Sequence, residues 1–311
     1  MGHYTVGVDV GGTNIKFGLV NRSGSILART SLDTKQFHRN KKKLINALIE
    51  EINSLINSKK LKSKDILGIG FGLPGLIDSK KGIVNFLPNV PGWKNVPLKN
   101  IVQKKFRIPT FIENDVNLIT LGEWQFGAGK GYQNMMCMTL GTGVGAGLVL
   151  NNVLYRGEGF VAGELGHMPL NEKGPNCNCG GWGCFECYVG NDLLLKQARK
   201  IFKRDSIQLP DVFYLAQQGN VCALRFWNDT AVHIGNALVG VVNLLNPRLI
   251  IIGGGVSNNY KFLGPTINAI IKKRAMKVQA KMVKIVRAKL GNDAGIIGAQ
   301  VLVKEAIGGR H

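Results

Sequence analysis

The segment of this chain with the densest chemistry runs Glu164-Leu-Gly-His167 and then, ten residues on, Cys177-Asn-Cys179-Gly-Gly-Trp-Gly-Cys184-Phe-Glu186. One imidazole and three thiols on a glycine-rich loop can close a four-coordinate zinc site. Zn2+ binds thiolate and neutral imidazole tetrahedrally, and a structural site leaves no open position. His167, Cys177, Cys179 and Cys184 are the expected ligands of a structural Zn2+. The competing reading, buried thiols or a redox pair, fits the Cys-x-Cys spacing with Gly180, Gly181 and Gly183 around it less well. Cys187 makes a C-x-x-C pair with Cys184 and is a fifth candidate. It is expected instead to be a buried structural thiol, as are Cys137 and Cys222 in their apolar surroundings.

Three glycine runs carry a second kind of chemistry. Residues 6–20 alternate apolar positions on both sides of Gly11-Gly12-Thr13, which reads as a β-hairpin. A Rossmann or Walker loop would pass from a strand into a helix instead. Backbone N–H groups at Gly11 and Gly12 can approach a phosphate, Thr13 adds a hydroxyl, Lys16 adds a cation, and Asp9 can hold a magnesium-bound water. Alone, Gly-Gly-Thr is more often a plain turn. The arrangement recurs about 130 residues later, where residues 138–150 flank Gly141-Thr142-Gly143, and this suggests duplicated halves. The third run ends an apolar strand, residues 248–252, at Gly253-Gly254-Gly255, where an open α/β sheet usually binds ligand and where flat adenine fits. In series the three runs read as a nucleotide track.

A carboxylate completes the set. Residues 107–115 read as a short apolar strand whose C-terminal end presents Asn114 and Asp115. Phosphoryl transfer to an alcohol needs a carboxylate beside the hydroxyl and a cation at the phosphates. Asp115 is the expected general base. Its other reading, which is compatible, is the cap of a helix that begins near Val116 and ends before Gly127.

Taken in order, Asp9-Val-Gly-Gly-Thr13, Gly72-Leu-Pro-Gly75, Glu113-Asn-Asp115, Gly141-Thr-Gly143, Glu164-Leu-Gly-His167, residues 177–186 and Gly253-Gly-Gly255 resemble the ROK family of sugar kinases and repressors over nearly the whole length. The resemblance implies an actin-like (ribonuclease-H-like) ATPase fold, two α/β domains around a cleft, ATP with Mg2+ as donor, and a hexose hydroxyl as acceptor. It implies that Asn89, Asn114, Glu164 and Glu186 bind the sugar hydroxyls beside Asp115. His167 is expected to ligate zinc through one ring nitrogen and meet a sugar hydroxyl through the other, so that zinc shapes the sugar pocket without touching phosphate. The spacing Cys-Asn-Cys-Gly-x-x-Gly-Cys-x-Glu is similar to that of glucokinase-like and N-acetylhexosamine kinase members. Glucose to glucose 6-phosphate is the leading expectation. An N-acetylglucosamine or N-acetylmannosamine kinase, a polyphosphate-using kinase and a non-catalytic sugar sensor stand as alternatives. A homo-oligomer, dimer or tetramer, is the family's habit.

The elements that must position these residues are legible in outline. Residues 39–59 carry Leu44, Leu48, Ile52 and Leu55 or Ile56 at helical spacing, residues 67–71 read as a buried strand, and residues 72–98, with four prolines, read as an irregular stretch carrying Asn89. A long helix is expected over 226–245 and another over 294–306. The expected domains are 1–115 plus 297–311 and 116–296. At 311 residues the chain suits two domains, and no apolar run is long enough to span a membrane. The first strand begins by Tyr4 without a signal peptide, and clustered thiols imply a reducing compartment, so a cytoplasmic location is expected. Lys and Arg number 40 against 19 Asp and Glu, a formal charge of +21. The cations are scattered over presumed helix faces and read as a solvated surface, with steering of ATP or another polyanion the lesser reading. Repressing relatives carry a helix-turn-helix segment before the first phosphate hairpin; with eight residues before Asp9, a nucleic-acid partner is not expected.

Overall fold

The computed structural model describes residues 2–37, 40–87 and 92–309, so Asn89 lies outside the described residues. Strand β1 (Tyr4–Val10) turns at residues 11–13 into antiparallel β2 (Asn14–Asn21), with Asp9 opposite Lys16. β3 (Ile26–Asp33) continues the meander, and helix α1 (Lys41–Ser58) crosses to β4 (Ile66–Leu73), which runs parallel to β1. On α1 the buried residues are Leu44, Leu48, Ile52, Leu55 and Ile56, the stripe expected of a helix with one face on a sheet. Its first turn is capped by Asn40, whose side chain accepts from the Lys43 N–H.

Strands β5 (Leu76–Asp78), β6 (Ile83–Phe86) and β7 (Lys94–Val96) form a small antiparallel sheet. The stretch expected to be irregular is thus partly ordered into strands too short for an alternating pattern to show. Helix α2 (Leu98–Phe106) leads to β8 (Thr110–Asn114), parallel to β4, and α3 (Asp115–Phe126) follows at once. The first large sheet has the order β3-β2-β1-β4-β8.

The next hairpin is β9 (Met135–Leu140) and β10 (Val144–Leu150), with β11 (Val153–Tyr155) antiparallel to β10. After the cysteine loop come α4 (Glu186–Val189), α5 (Asn191–Phe202), α6 (Leu209–Gln217) and α7 (Val221–Leu245). Then β12 (Leu249–Gly253), α8 (Tyr260–Arg274), α9 (Lys277–Met282), β13 (Lys284–Arg287) and α10 (Ala294–Ile307) complete the chain. The second large sheet has the order β11-β10-β9-β12-β13. Both sheets therefore place a three-strand meander beside two parallel strands, which is the duplication anticipated from the two glycine turns. β12 is buried at every position and has parallel neighbours on both sides, as a continuous Leu-Ile-Ile-Ile run requires.

Two compact units result: Met1–Gly131 with Gly147–Ala162 and Lys289–His311, and Tyr132–Ala146 with Gly163–Ala288. They differ from the boundaries at 115/116 and 296/297 expected from the sequence. The reason is helix packing. A Cβ on Gly298 of α10 would fall 1.8 Å from the Leu118 carbonyl oxygen of α3, so the two helices are in backbone contact and belong to one unit.

Candidate functional site

In the first unit, the β1–β2 turn is fixed from behind. The Thr34 N–H donates to the Thr13 carbonyl at 2.9 Å and the Thr34 hydroxyl to the Gly11 carbonyl at 2.8 Å, while the Gly11 N–H closes the turn on the Asn14 carbonyl at 3.0 Å. Gly12 and Thr13 are exposed at its tip. At the end of β1, Asp9 sits against Gly295 in the first turn of α10, and the Lys16 ammonium lies 3.9 Å from its Oδ2 and 3.4 Å from the Asn292 carbonyl. Burial pushes the Asp9 carboxyl above its ordinary range, and the Lys16 charge pulls it back in part. Turn, carboxylate and cation are therefore gathered at one end of β1, the arrangement expected of a phosphate and hydrated-cation contact.

The β8–α3 junction is the second element of this unit. Asn114, not Asp115, is the cap: its Oδ1 accepts from the Val116 N–H at 2.9 Å and the Asn117 N–H at 3.3 Å. The capping alternative for Asp115 thus passes to its neighbour, and Asn114 keeps only its amide N–H groups for a ligand. Asp115 is the first helical residue, with Oδ1 at 2.9 Å from the Val116 N–H. Beneath them lies Glu113, read in the sequence as the start of a motif but given no role there. Glu113, 1% exposed, accepts from Arg156 Nε at 2.6 Å, from the Asn114 N–H at 2.9 Å and from Asn117 Nδ2 at 3.0 Å. A buried, fully paired carboxylate of this kind sets the direction of the backbone on which Asn114 and Asp115 stand. Its partner is 43 residues away in sequence, on the segment after β11, and no local pattern announces it.

In the second unit the four zinc candidates converge. The ligand atoms of His167, Cys177, Cys179 and Cys184 all lie within 4.8 Å of one another. Cys177 Sγ is 3.6 Å from His167 Nδ1, and Cys179 Sγ is 3.7 Å from Cys184 Sγ. Zn–S bonds of about 2.3 Å and a Zn–N bond of about 2.0 Å at tetrahedral angles require S···S near 3.8 Å and S···N near 3.5 Å, so these edges fit the ion. The thiols fit it chemically as well. Burial raises Cys177, but hydrogen bonds from the Cys179 backbone and side chain, His167 and Cys184 more than reverse this and bring it to about 7. Burial pushes Cys184 up to about 12, with the bonds and charges of Cys179 and Cys177 adding to the rise. A thiol brought to about 7 beside one that burial holds protonated is a donor set that a divalent cation relieves. Cys187 is outside this group, its Sγ 3.7 Å from the Asn176 carbonyl. Cys137 is buried as expected, whereas Cys222 is exposed, because α7 begins at Val221 and places it in the solvated first turn.

The loop around the metal ligands is a folded-back ribbon in which the Leu170 N–H reaches the Gly183 carbonyl at 2.7 Å, the Phe185 N–H the Met168 carbonyl at 2.9 Å and the Cys177 N–H the Gly181 carbonyl at 2.8 Å. His167 directs Nδ1 at the thiols and Nε2 toward Glu164, whose Oε2 is 4.0 Å away. Glu164 is 58% exposed and open to a ligand. Glu186 opens α4 two residues after the last thiol, and its Oε2 accepts from the Val144 N–H at 2.8 Å, at the edge of the β9–β10 turn. The metal segment, expected to serve the sugar alone, therefore also holds the second glycine turn.

At the C-terminal end of β12, Gly253-Gly254-Gly255 opens onto a cavity of about 420 Å³ lined by Asn191, Leu195, Pro210, Phe213, Val256 and Asn259, among others. Gly254 is left-handed (φ 80°), and its carbonyl accepts from the Ser257 N–H and hydroxyl. The Oδ1 atoms of Asn191 and Asn259 are buried there without a donor among the described residues. Of the expected site residues, the structure brings Asp9, Gly11, Gly12, Thr13 and Lys16 together in one unit. In the other it places Gly141, Thr142, Gly143, Glu186 and the metal ligands in one connected region. No helix among the described residues is long and apolar enough to cross a membrane.

Known proteins match this chain along nearly its whole length. The family model described as ROK family matches residues 5–306. A glucokinase of Thermotoga maritima is 33% identical, covering 98% of this chain and 98% of its own. A xylose repressor of Bacillus spizizenii is 32% identical, covering 97% of this chain and 77% of the repressor. The crystal structure of a ROK family glucokinase from Streptomyces griseus in complex with glucose and AMPPNP has a TM-score of 0.82 at 29% identity, covering 97% of this chain and 99% of that one. The fold is accordingly the actin-like ATPase fold of two α/β domains expected above. The chain belongs to the ROK family.

Proposed function

We propose that this protein is an ATP-dependent hexose kinase of glucokinase type that transfers the γ-phosphoryl group to glucose to give glucose 6-phosphate. The observation that carries the reading is the placement of Asp115 on the first residue of a helix at the C-terminal end of a parallel strand, in a chain similar to glucokinases along its whole length. There its carboxylate removes the proton from the attacking hydroxyl. Asp9, at the end of β1, holds water on the nucleotide's magnesium, while the N–H groups of Gly12 and Thr13 and of Thr142 and Gly143 are offered to phosphate, those of Gly11 and Gly141 being spent within their own turns. The cavity after β12 takes the adenine ring, with Phe213, Leu195 and Val256 on its faces.

Hexose hydroxyls are assigned to Glu164, His167 Nε2, the free oxygen of Glu186 and the Asn114 amide, with Asn89 kept as a proposed contact. His167, Cys177, Cys179 and Cys184 would hold a zinc ion, which would brace the loop that carries Glu164 and Glu186. With Nδ1 facing the metal position, Nε2 of His167 carries the proton and donates to a sugar oxygen. A coupled ADP-release assay with Mg-ATP and a panel of glucose, mannose, fructose, N-acetylglucosamine and N-acetylmannosamine tests the reading. Preference for glucose supports it, preference for an acetylated sugar moves the substrate class while keeping the mechanism, and silence on every sugar overturns it in favour of a sensor.

A further inference from the structure

The 141–143 turn is held from outside its own hairpin. Its closing bond, the Gly141 N–H to the Gly143 carbonyl at 3.0 Å, is internal, but both ends are fastened to the segment that follows the metal loop. At one end the Val144 N–H donates to Glu186 Oε2 at 2.8 Å. At the other the Asn191 N–H donates to the Gly141 carbonyl at 2.9 Å. The contact is close enough to fix residue type: a Cβ on residue 143 would fall 2.5 Å from Glu186 Oε2. Glu186 is two residues beyond the thiol of Cys184, and the Phe185 N–H between them is tied to the Met168 carbonyl, one residue beyond His167. A rigid path of a few bonds thus joins the metal ligands to the phosphate turn.

We propose that Glu186 and the Asn191 amide form a clamp that sets the conformation of the 141–143 turn, so that occupancy of the metal site controls nucleotide affinity as well as sugar affinity. The inference rests on the kinase reading for the nature of the ligand at this turn. Glu186 acts here as a positioning residue: its carboxylate holds the Val144 N–H and touches no phosphate. A charged acceptor on a backbone N–H is stronger than a neutral one, and its removal frees a turn that three glycine and threonine residues leave with little stiffness of their own.

The test is the affinity of the zinc-loaded protein for AMPPNP with magnesium and no sugar, by calorimetry, in wild type, Glu186→Ala and Glu186→Gln, and in wild type and Glu186→Ala after zinc removal. Circular dichroism checks that each form is folded. The clamp predicts that Glu186→Ala weakens AMPPNP binding at least about fivefold while Glu186→Gln, which keeps an oxygen acceptor, stays within about twofold. It also predicts that zinc removal weakens wild type by a similar factor and weakens Glu186→Ala no further, since both act through one contact. Unchanged AMPPNP affinity in a folded Glu186→Ala protein overturns the clamp and leaves the kinase reading standing. Additive losses overturn the link to the metal. Failure of the wild type itself to bind the nucleotide removes the kinase reading, and the clamp with it.

Discussion

Three carboxylates in this chain are assigned distinct tasks, two of them by the proposed kinase reading, and each assignment gives a different mutant signature. Asp115, placed as the base, predicts that Asp115→Asn lowers kcat by roughly a thousandfold or more while hexose affinity stays within a few-fold. Steady-state kinetics beside direct sugar binding checks it. Asp9 is raised above the ordinary carboxylate range by burial. A raised carboxylate favours the protonated folded state, so its contribution to stability is full below the unfolded pKa and is lost as pH rises through the folded value. Once the pH has risen past the folded value, the ionised group therefore weighs against the fold. Asp9→Asn is predicted to melt at the same or a higher temperature than wild type while losing about a hundredfold in kcat/KM. The wild-type rate should also fall with acidity at a less acid pH than an ordinary Asp would give. Glu113 is the structural one. Arg156→Ala strands its buried charge and is expected to reduce unfolding free energy by about 3 kcal/mol in denaturant titration.

At the scale of elements, the parts legible in the sequence were those with a strong local period or a dense ligand set. The stripe of Leu44, Leu48 and Ile52, the alternation around Gly11–Thr13 and the run before Gly253 each fix an element from its own residues. The thiol spacing did the same for the metal loop, whose four ligand atoms the fold gathers. What stayed hidden depends on distant partners. Glu113 needs Arg156. Glu123, fully buried on α3, accepts from the Ala128, Lys289 and Leu290 N–H groups and so ties α3 to the lead-in of α10. That tie, with the α3–α10 backbone contact, is why the unit boundary falls after α3 rather than before it. The metal loop has little regular structure of its own, and about 10 kcal/mol of zinc binding is available to hold it. Chelation is predicted to weaken hexose binding before the far-ultraviolet dichroism of the surrounding helices changes. Full activity in protein shown to be zinc-free would contradict the support role.

Over the whole molecule, the charge of +21 is unevenly placed: no Asp or Glu occurs between Asp229 and Asp293, while Lys272, Lys273, Arg274, Lys277 and Lys281 follow one another on α8 and α9. All five are exposed. A solvated face of this kind carries little folding energy, so Lys272→Glu with Lys273→Glu should shift stability by no more than about 0.5 kcal/mol and leave kcat/KM unchanged. Thermal unfolding and the kinase assay on the double variant check both. The proposed chemistry lies instead at Asp115 and the glycine turns, where phosphoryl passes from ATP to a glucose hydroxyl. The direct measurement is phosphorus-31 NMR of the zinc-loaded protein with Mg-ATP and glucose. A glucose 6-kinase should show loss of the γ-phosphate resonance and growth of a monoester signal coupled to the protons on C6; inorganic phosphate alone, or an unchanged ATP spectrum, would rule that reaction out.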